Sequence, residues 1–165
     1  MFPFTFTSAR CAIVAAAAIM PLAGVPSIAT AAESPVATLA GSWGGSGRIS
    51  YTDGNSEGIR CNAYYSAGGN QLTLAIQCKS DSNAIHVRSK LRIDGSRVNG
   101  DWEERTFNAS GSGNGRVEGN SMSISLAGGG FTGNMTVNFS KSAHSVTIST
   151  KGIAMSKATM NFTRR

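Results

Sequence analysis

The chain has 165 residues, of which 20 are glycine, 41% are hydrophobic and 15% are charged. Once a leader is removed, that length suits one domain able to bury a real core, and it excludes a multidomain assembly. Lys and Arg outnumber Asp and Glu by 15 to 9, a formal net charge of +6; this suits weak attraction to anionic surfaces and names no partner.

The first segment differs from all that follows. Met1 to Ser8 lacks acids, Arg10 supplies a positive charge, and an alanine-rich apolar run extends from Cys11 to Val25. Pro21 interrupts that run, Pro26 closes it, and Ala29-Thr30-Ala31 offers small residues at signal-peptidase spacing. This is the charged, apolar and small-residue order of a secretory leader. It is too short and too broken for a membrane span, which needs about 20 apolar residues. Residues 1–31 are therefore expected to be a cleaved signal peptide, 32–40 a short linker and 41–165 the folded domain, with no transmembrane segment after cleavage. The expected location is periplasmic or secreted.

Beyond the leader no segment carries a 3.6-residue period, whereas short stretches alternate apolar and polar residues between Gly- and Ser-rich breaks. That pattern predicts strands joined by tight turns. Gly41 to Tyr51 opens the series with Trp43, Ile49 and Tyr51 inward. In the next hairpin Ile59, Cys61, Ala63 and Tyr65 alternate on one strand and Leu72, Leu74, Ile76 and Cys78 on the other. A turn at Ala67–Asn70 places Tyr65 opposite Leu74, Ala63 opposite Ile76 and Cys61 opposite Cys78. Directly opposed residues of a non-hydrogen-bonded antiparallel pair lie about 4.5 Å apart at Cα, within disulfide range. A Cys61–Cys78 disulfide on the core side is therefore expected, as suits an exported chain.

The strand from Ile85 to Ile93 turns Ile85, Val87, Leu91 and Ile93 inward and His86, Arg88, Lys90 and Arg92 outward. Asp94-Gly95 then predicts a type I′ turn. That turn would set Leu91 against Val98 and Val87 against Trp102, with Arg88 meeting Asp101, His86 meeting Glu103 and Arg92 facing Arg97. Gly111 to Val117 reads as a thin strand of uncertain register. Met122, Ile124 and Leu126 precede the Gly128-Gly129-Gly130 turn, and Phe131, Met135, Val137 and Phe139 follow it. Val146, Ile148, Ala158, Met160 and Phe162 complete the inward set. The expected fold is all-β: a single antiparallel up-and-down β-barrel of about 8–10 strands, since closure removes exposed edges.

The segment Gly41-Ser42-Trp43-Gly44-Gly45-Ser46-Gly47 resembles the G-x-W strand that opens lipocalin-like and avidin-like barrels. As a whole the mature chain is similar to small exported bacterial, calycin-type barrels with a GxWxGxG opening and two paired cysteines. The resemblance implies that Trp43 plugs one end of the barrel. It brings no ligand with it: there is no lipocalin T-D-Y-like segment, and the biotin-contacting residues of avidins have no counterpart. Some exported barrels of this type inhibit proteases, but no inhibitory segment aligns.

Catalytic chemistry finds little footing. No G-x-S-x-G stands at a strand-to-helix elbow, and the two histidines, His86 and His144, are far apart in sequence. His86 falls on an outer face, and His144 lies near a hairpin end where it can face inward opposite Phe139. No C-x-x-C is present, so neither a metal nor a cofactor is expected. The inward Met122, Met135 and Met160 read as core filling. Asn108, Asn134, Asn138 and Asn161 stand in N-x-S/T contexts, which a bacterial host would leave unmodified.

Glu104 is the acid that stands out, because period two from Trp102 turns it inward near a strand end, either as a polar anchor at a ligand mouth or held by a partner or bulge. Arg88, Lys90, Arg92 and Arg97 form a candidate basic surface. It has no interleaved aromatics, and acids across the hairpin offset part of it, so a nucleic-acid partner is not expected. Trp43, Tyr65, Trp102, Glu104, Met135 and Phe139 are the candidate ligand-lining residues. Gly45, Gly47, Gly100 and Gly133 sit among large inward residues, leaving either room for a ligand or a sharp bend. Two functions remain open: a non-enzymatic exported barrel holding a small apolar ligand or lipid, or a protein-interaction module such as a protease inhibitor or envelope partner.

Overall fold

The computed structural model describes residues 35–165, so the expected leader and its cleavage site lie outside the described residues. A five-residue 3-10 helix, Pro35–Leu39, leads into ten strands. They are β1 (Gly41–Tyr51), β2 (Ser56–Gly68), β3 (Gln71–Lys79), β4 (Ala84–Asp94), β5 (Arg97–Glu104), β6 (Ala109–Glu118), β7 (Ser121–Gly128), β8 (Phe131–Phe139), β9 (Ala143–Lys151) and β10 (Met155–Arg164). Every pairing is antiparallel between sequence neighbours, and β1 also pairs with β10, closing the sheet into an up-and-down barrel. The fold is thus all-β, as the alternation predicts. Part of the segment read as linker belongs to the core: Val36 and Leu39 of the helix are 3% and 2% exposed. Five residues are too few to show a period.

The β2–β3 hairpin has the expected register, with Tyr65 opposite Leu74, Ala63 opposite Ile76 and Cys61 opposite Cys78. The two cysteines are disulfide-bonded, with Cα atoms 4.0 Å apart. The β4–β5 hairpin differs from expectation by two residues. Asp94 pairs with Arg97, Ile93 with Val98, Leu91 with Gly100, Ser89 with Trp102 and Val87 with Glu104. The centre of the turn is therefore Gly95-Ser96. Gly95 has φ +60° and Ser96 does not share it, which is the glycine-first pattern of a type II′ turn and not type I′. Because the slip is two residues, every side chain keeps its face. The outer charge pairs do change: Arg88 meets Glu103 and Lys90 meets Asp101, while Arg92 meets Asn99. Across strands Arg97 faces Arg116 and not Arg92, and Arg116 has the Glu118 carboxylate at 3.7 Å.

The inward glycines are sites of close approach. A Cβ on Gly47 would lie 1.9 Å from the Thr159 carbonyl oxygen, and one on Gly100 would lie 2.1 Å from that of Lys90. At Gly45 the Phe162 ring fills the space, and at Gly133 the Ser149 carbonyl does. The room those residues leave is taken by the barrel's own wall.

Two outcomes follow from these contacts. Cys61→Ser with Cys78→Ser, or reduction, is expected to lower the unfolding free energy by about 2–4 kcal/mol in urea titrations, since the bond crosslinks residues 17 apart. Gly47→Ala is expected to lower it by about 1–3 kcal/mol, because β10 must be pushed away from β1; an unchanged midpoint would contradict that close approach.

Candidate functional site

The two ends of the barrel differ. The turns after β2, β4, β6 and β8 gather at one end together with the start of β1, the end of β10 and the helix. This end is closed. Trp43 is 1% and Phe162 1% exposed, with Tyr65 at 3%, His144 at 4% and Phe139 at 5%. Trp43 donates its indole N–H to the Leu39 carbonyl at 2.8 Å. From the last strand, the Arg164 guanidinium lies 4.4 Å over the Trp43 ring. Its three nitrogens donate to the carbonyls of Lys141, Ala40 and Thr38. One cation thus ties the first strand, the last strand, the helix and the β8–β9 turn.

Behind Trp43, the His144 ring stacks on Phe162 at 4.6 Å and meets Trp43 edge-on at 4.6 Å. His144 Nε2 shares a 3.1 Å hydrogen bond with the Tyr65 hydroxyl, and its Nδ1 is buried without a partner. Burial, with the nearby Arg164 charge second, pushes the imidazole pKa down to about 4. Burial also raises that of the Tyr65 phenol. This pair forms the floor.

Toward the opposite end the cover is uneven: Ile49, Ile59, Cys61, Cys78 and Ala158 of β1, β2, β3 and β10 are only 2% to 6% exposed. Leu74 and Ile76 of β3, Val87 of β4, Met135 of β8, Ile148 of β9 and Met160 of β10 stand near mid-strand yet remain half-buried. Water therefore reaches part of each of these side chains, although most of them still pack against the core; this less completely covered end is the mouth. Trp102 and Phe131 pair there with ring centroids 5.2 Å apart. The Trp102 indole lies over Gly111 and Gly129, where a Cβ would meet it at 2.6 Å and 3.0 Å.

Two carboxylates shape the rim by holding loops. Glu104 accepts backbone N–H bonds from His86 at 2.8 Å, Thr106 at 3.1 Å and Phe107 at 2.7 Å. Partial burial would raise its pKa, but these N–H bonds outweigh it and hold the group below the ordinary carboxylate value. Glu57 accepts the Tyr51 hydroxyl and also the Ser82 hydroxyl at 2.8 Å. The Tyr51 bond above all brings its pKa down to about 2. Both groups are ionised at neutral pH.

The six candidate lining residues therefore divide. Trp43, Tyr65 and Phe139 are in the floor, Met135 and Trp102 on the open wall, and Glu104 at the rim as a loop clamp. Leu74, Ile76, Ile148 and Met160 belong with the wall. Glu57 and Arg164 went unread because each extends a strand beyond its last apolar residue; continuing period two from Ile59 back to Glu57 and from Phe162 on to Arg164 finds both. The exposed Arg88, Lys90, Arg92 and Arg97 are on the outer surface, where Arg92 pairs with Asp94 at 3.2 Å. Among the described residues no three His, Cys, Asp or Glu side chains converge as metal ligands.

No family model matches the sequence, and no curated protein matches it either. Among solved structures the chain is similar to Rv2717c from M. tuberculosis, with TM-score 0.64 and 14% identity over 79% of this chain and 94% of that one. It is also similar to the S-type phycobiliprotein lyase CPES from Guillardia theta, with TM-score 0.58 and 9% identity over 78% of this chain and 89% of that one. The chain thus shares the β-barrel fold of these two proteins. At these identities the likeness is one of fold alone.

The buried imidazole yields an acid-sensitivity prediction. With a folded pKa near 4 and an unfolded value of about 6.5, the unfolded chain binds the extra proton between those limits. The stabilising contribution of neutral His144 is present above about pH 6.5 and is lost as pH falls toward 4. His144→Gln is expected to flatten the pH dependence of the unfolding free energy in that window. An unchanged slope would show that the ring is not held neutral by burial.

Proposed function

We infer that this chain is a non-enzymatic exported barrel that holds a small apolar molecule or lipid in its open half. The carrying observation is the band of half-buried apolar side chains, among them Leu74, Ile76, Met135 and Ile148, on the inward rows of the less completely covered end. Apolar surface left in water costs about 25 cal/mol per Å². A concave apolar site on a rigid wall is the usual form of a small-ligand pocket. The β-barrel fold supports the same reading.

One protein of similar structure is named a lyase, so fold does not choose between binding and catalysis. The side chains favour binding. His144 is 4% exposed behind aromatic rings and faces Tyr65, so it offers nothing to a reactant. His86 is exposed on the outside. The Cys61–Cys78 disulfide fits an oxidising compartment, which supports a periplasmic or secreted location. No helix among the described residues is long and apolar enough to cross a membrane.

Native mass spectrometry of the processed protein after incubation with a bacterial lipid extract tests the reading. A retained small-molecule adduct is expected. Ile76→Trp, which fills the interior, is expected to cut occupancy about tenfold or more while unfolding stays cooperative. A protein that remains empty in every extract overturns it.

A further inference from the structure

We propose that the open half of the barrel selects an uncharged hydrocarbon chain and disfavours anionic amphiphiles. This rests on the binding reading above and sharpens it to a ligand class. The wall itself carries the argument. The polar side chains on its inward rows are turned back on the barrel's own backbone. Ser89 donates to the Asp101 carbonyl at 2.9 Å, Ser156 to the Ser50 carbonyl at 3.1 Å and Trp102 to the Ser112 carbonyl at 3.2 Å. Thr150 donates to the Met155 carbonyl. Between floor and mouth, the described inward rows carry no lysine or arginine. Arg164 lies at the closed end, engaged with Trp43 and three carbonyls. His144 Nδ1 does lack a partner, but the ring is 4% exposed beneath Trp43 and Phe162.

A carboxylate or phosphate drawn into this interior would lose its water and find neither a donor nor a counter-charge, which makes burial unfavourable. Leaving the head at the rim is little better. Glu57 and Glu104 stand there as fixed carboxylates, clamped by Tyr51 and Ser82 and by three backbone N–H groups. Like charges repel across such partly shielded distances. The cations at this end, Arg48, Arg60, Lys79, Arg105, Lys151 and Lys157, are exposed, and all but the loop residue Arg105 stand on outward rows, Arg48 bonded to Ser56. An alkane, an alkyl ester or an alcohol escapes both costs and gains the full transfer of its methylenes.

Calorimetric titration at pH 7.5 with methyl dodecanoate, dodecanol and sodium dodecanoate, all below their aggregation limits, decides the matter. The ester and the alcohol are expected to bind about tenfold or more tightly than the acid, and Ser89→Ala and Thr150→Val are expected to change ester affinity by less than about twofold. Dodecanoate binding as well as the ester, or a tenfold loss of ester affinity in either variant, overturns the selectivity while leaving the open barrel as a binding site. If none of the three binds, the ligand-binding reading itself falls, and the selectivity with it.

Discussion

The seam between β1 and β10 is the contact on which the barrel depends. Every other pairing joins strands adjacent in sequence, whereas this one joins Trp43 to Arg164 and Ile49 to Ala158. Bringing such distant segments together costs loop-closure entropy that the hairpins do not incur. The chain meets that cost locally. Gly45 and Gly47 let the β10 backbone and the Phe162 ring come closer than a Cβ would allow, and Arg164 bonds the strand that ends the chain to the helix that precedes the first. With the seam made, the sheet has no edge, and each strand side chain is committed either to the interior or to water.

That commitment explains what could be read from the residues and what could not. Period two assigns a face and is indifferent to slips of two. The inward rows of β2, β3, β7 and β8 were therefore legible, and so was the cysteine pair. The β4–β5 register was not, because Asp94-Gly95 and Gly95-Ser96 are both acceptable turn centres and differ by that same even step. Strand ends were the weak point. Glu57 and Arg164 occupy inward rows where polarity hides the alternation, and each is held by partners from other segments that no local pattern announces. The inward glycines were visible as anomalies, but their two meanings, cavity or close approach, are separated only by where the neighbouring carbonyl lies.

The division between floor and mouth follows from where bulk is placed along the rows. Trp43, Tyr65, Phe139 and Phe162 all fall at the closed end, and together with His144 they fill it. Further along, the rows carry Leu, Ile, Val and Met, several of them only half-buried, with Trp102 and Phe131 paired at the mouth. The candidate list drawn from size and aromaticity therefore divided evenly between the plugged end and the rest of the barrel. The smaller half-buried residues gave no local sign of their exposure, since cover belongs to the whole ring and not to any one strand.

The mouth is stiffened in a way that bears on how a ligand would enter. The β2–β3 hairpin turns at the closed end, so its free ends lie at the mouth, where a hairpin is most prone to fray. Cys61–Cys78 joins those ends covalently, and Cys61 also touches Met160 of β10, with sulfur atoms 3.9 Å apart. Glu57 fixes the adjoining β3–β4 loop and Glu104 the β5–β6 loop, in which Asn108 adopts φ +50°. A non-glycine residue in that region persists where its surroundings hold it. Loops fixed in this way spend little conformational entropy on binding, so an apolar chain would meet a preformed opening. The same clamps use up the carboxylate lone pairs at the rim, which leaves shape and apolar area, more than directed polar contacts, to set affinity.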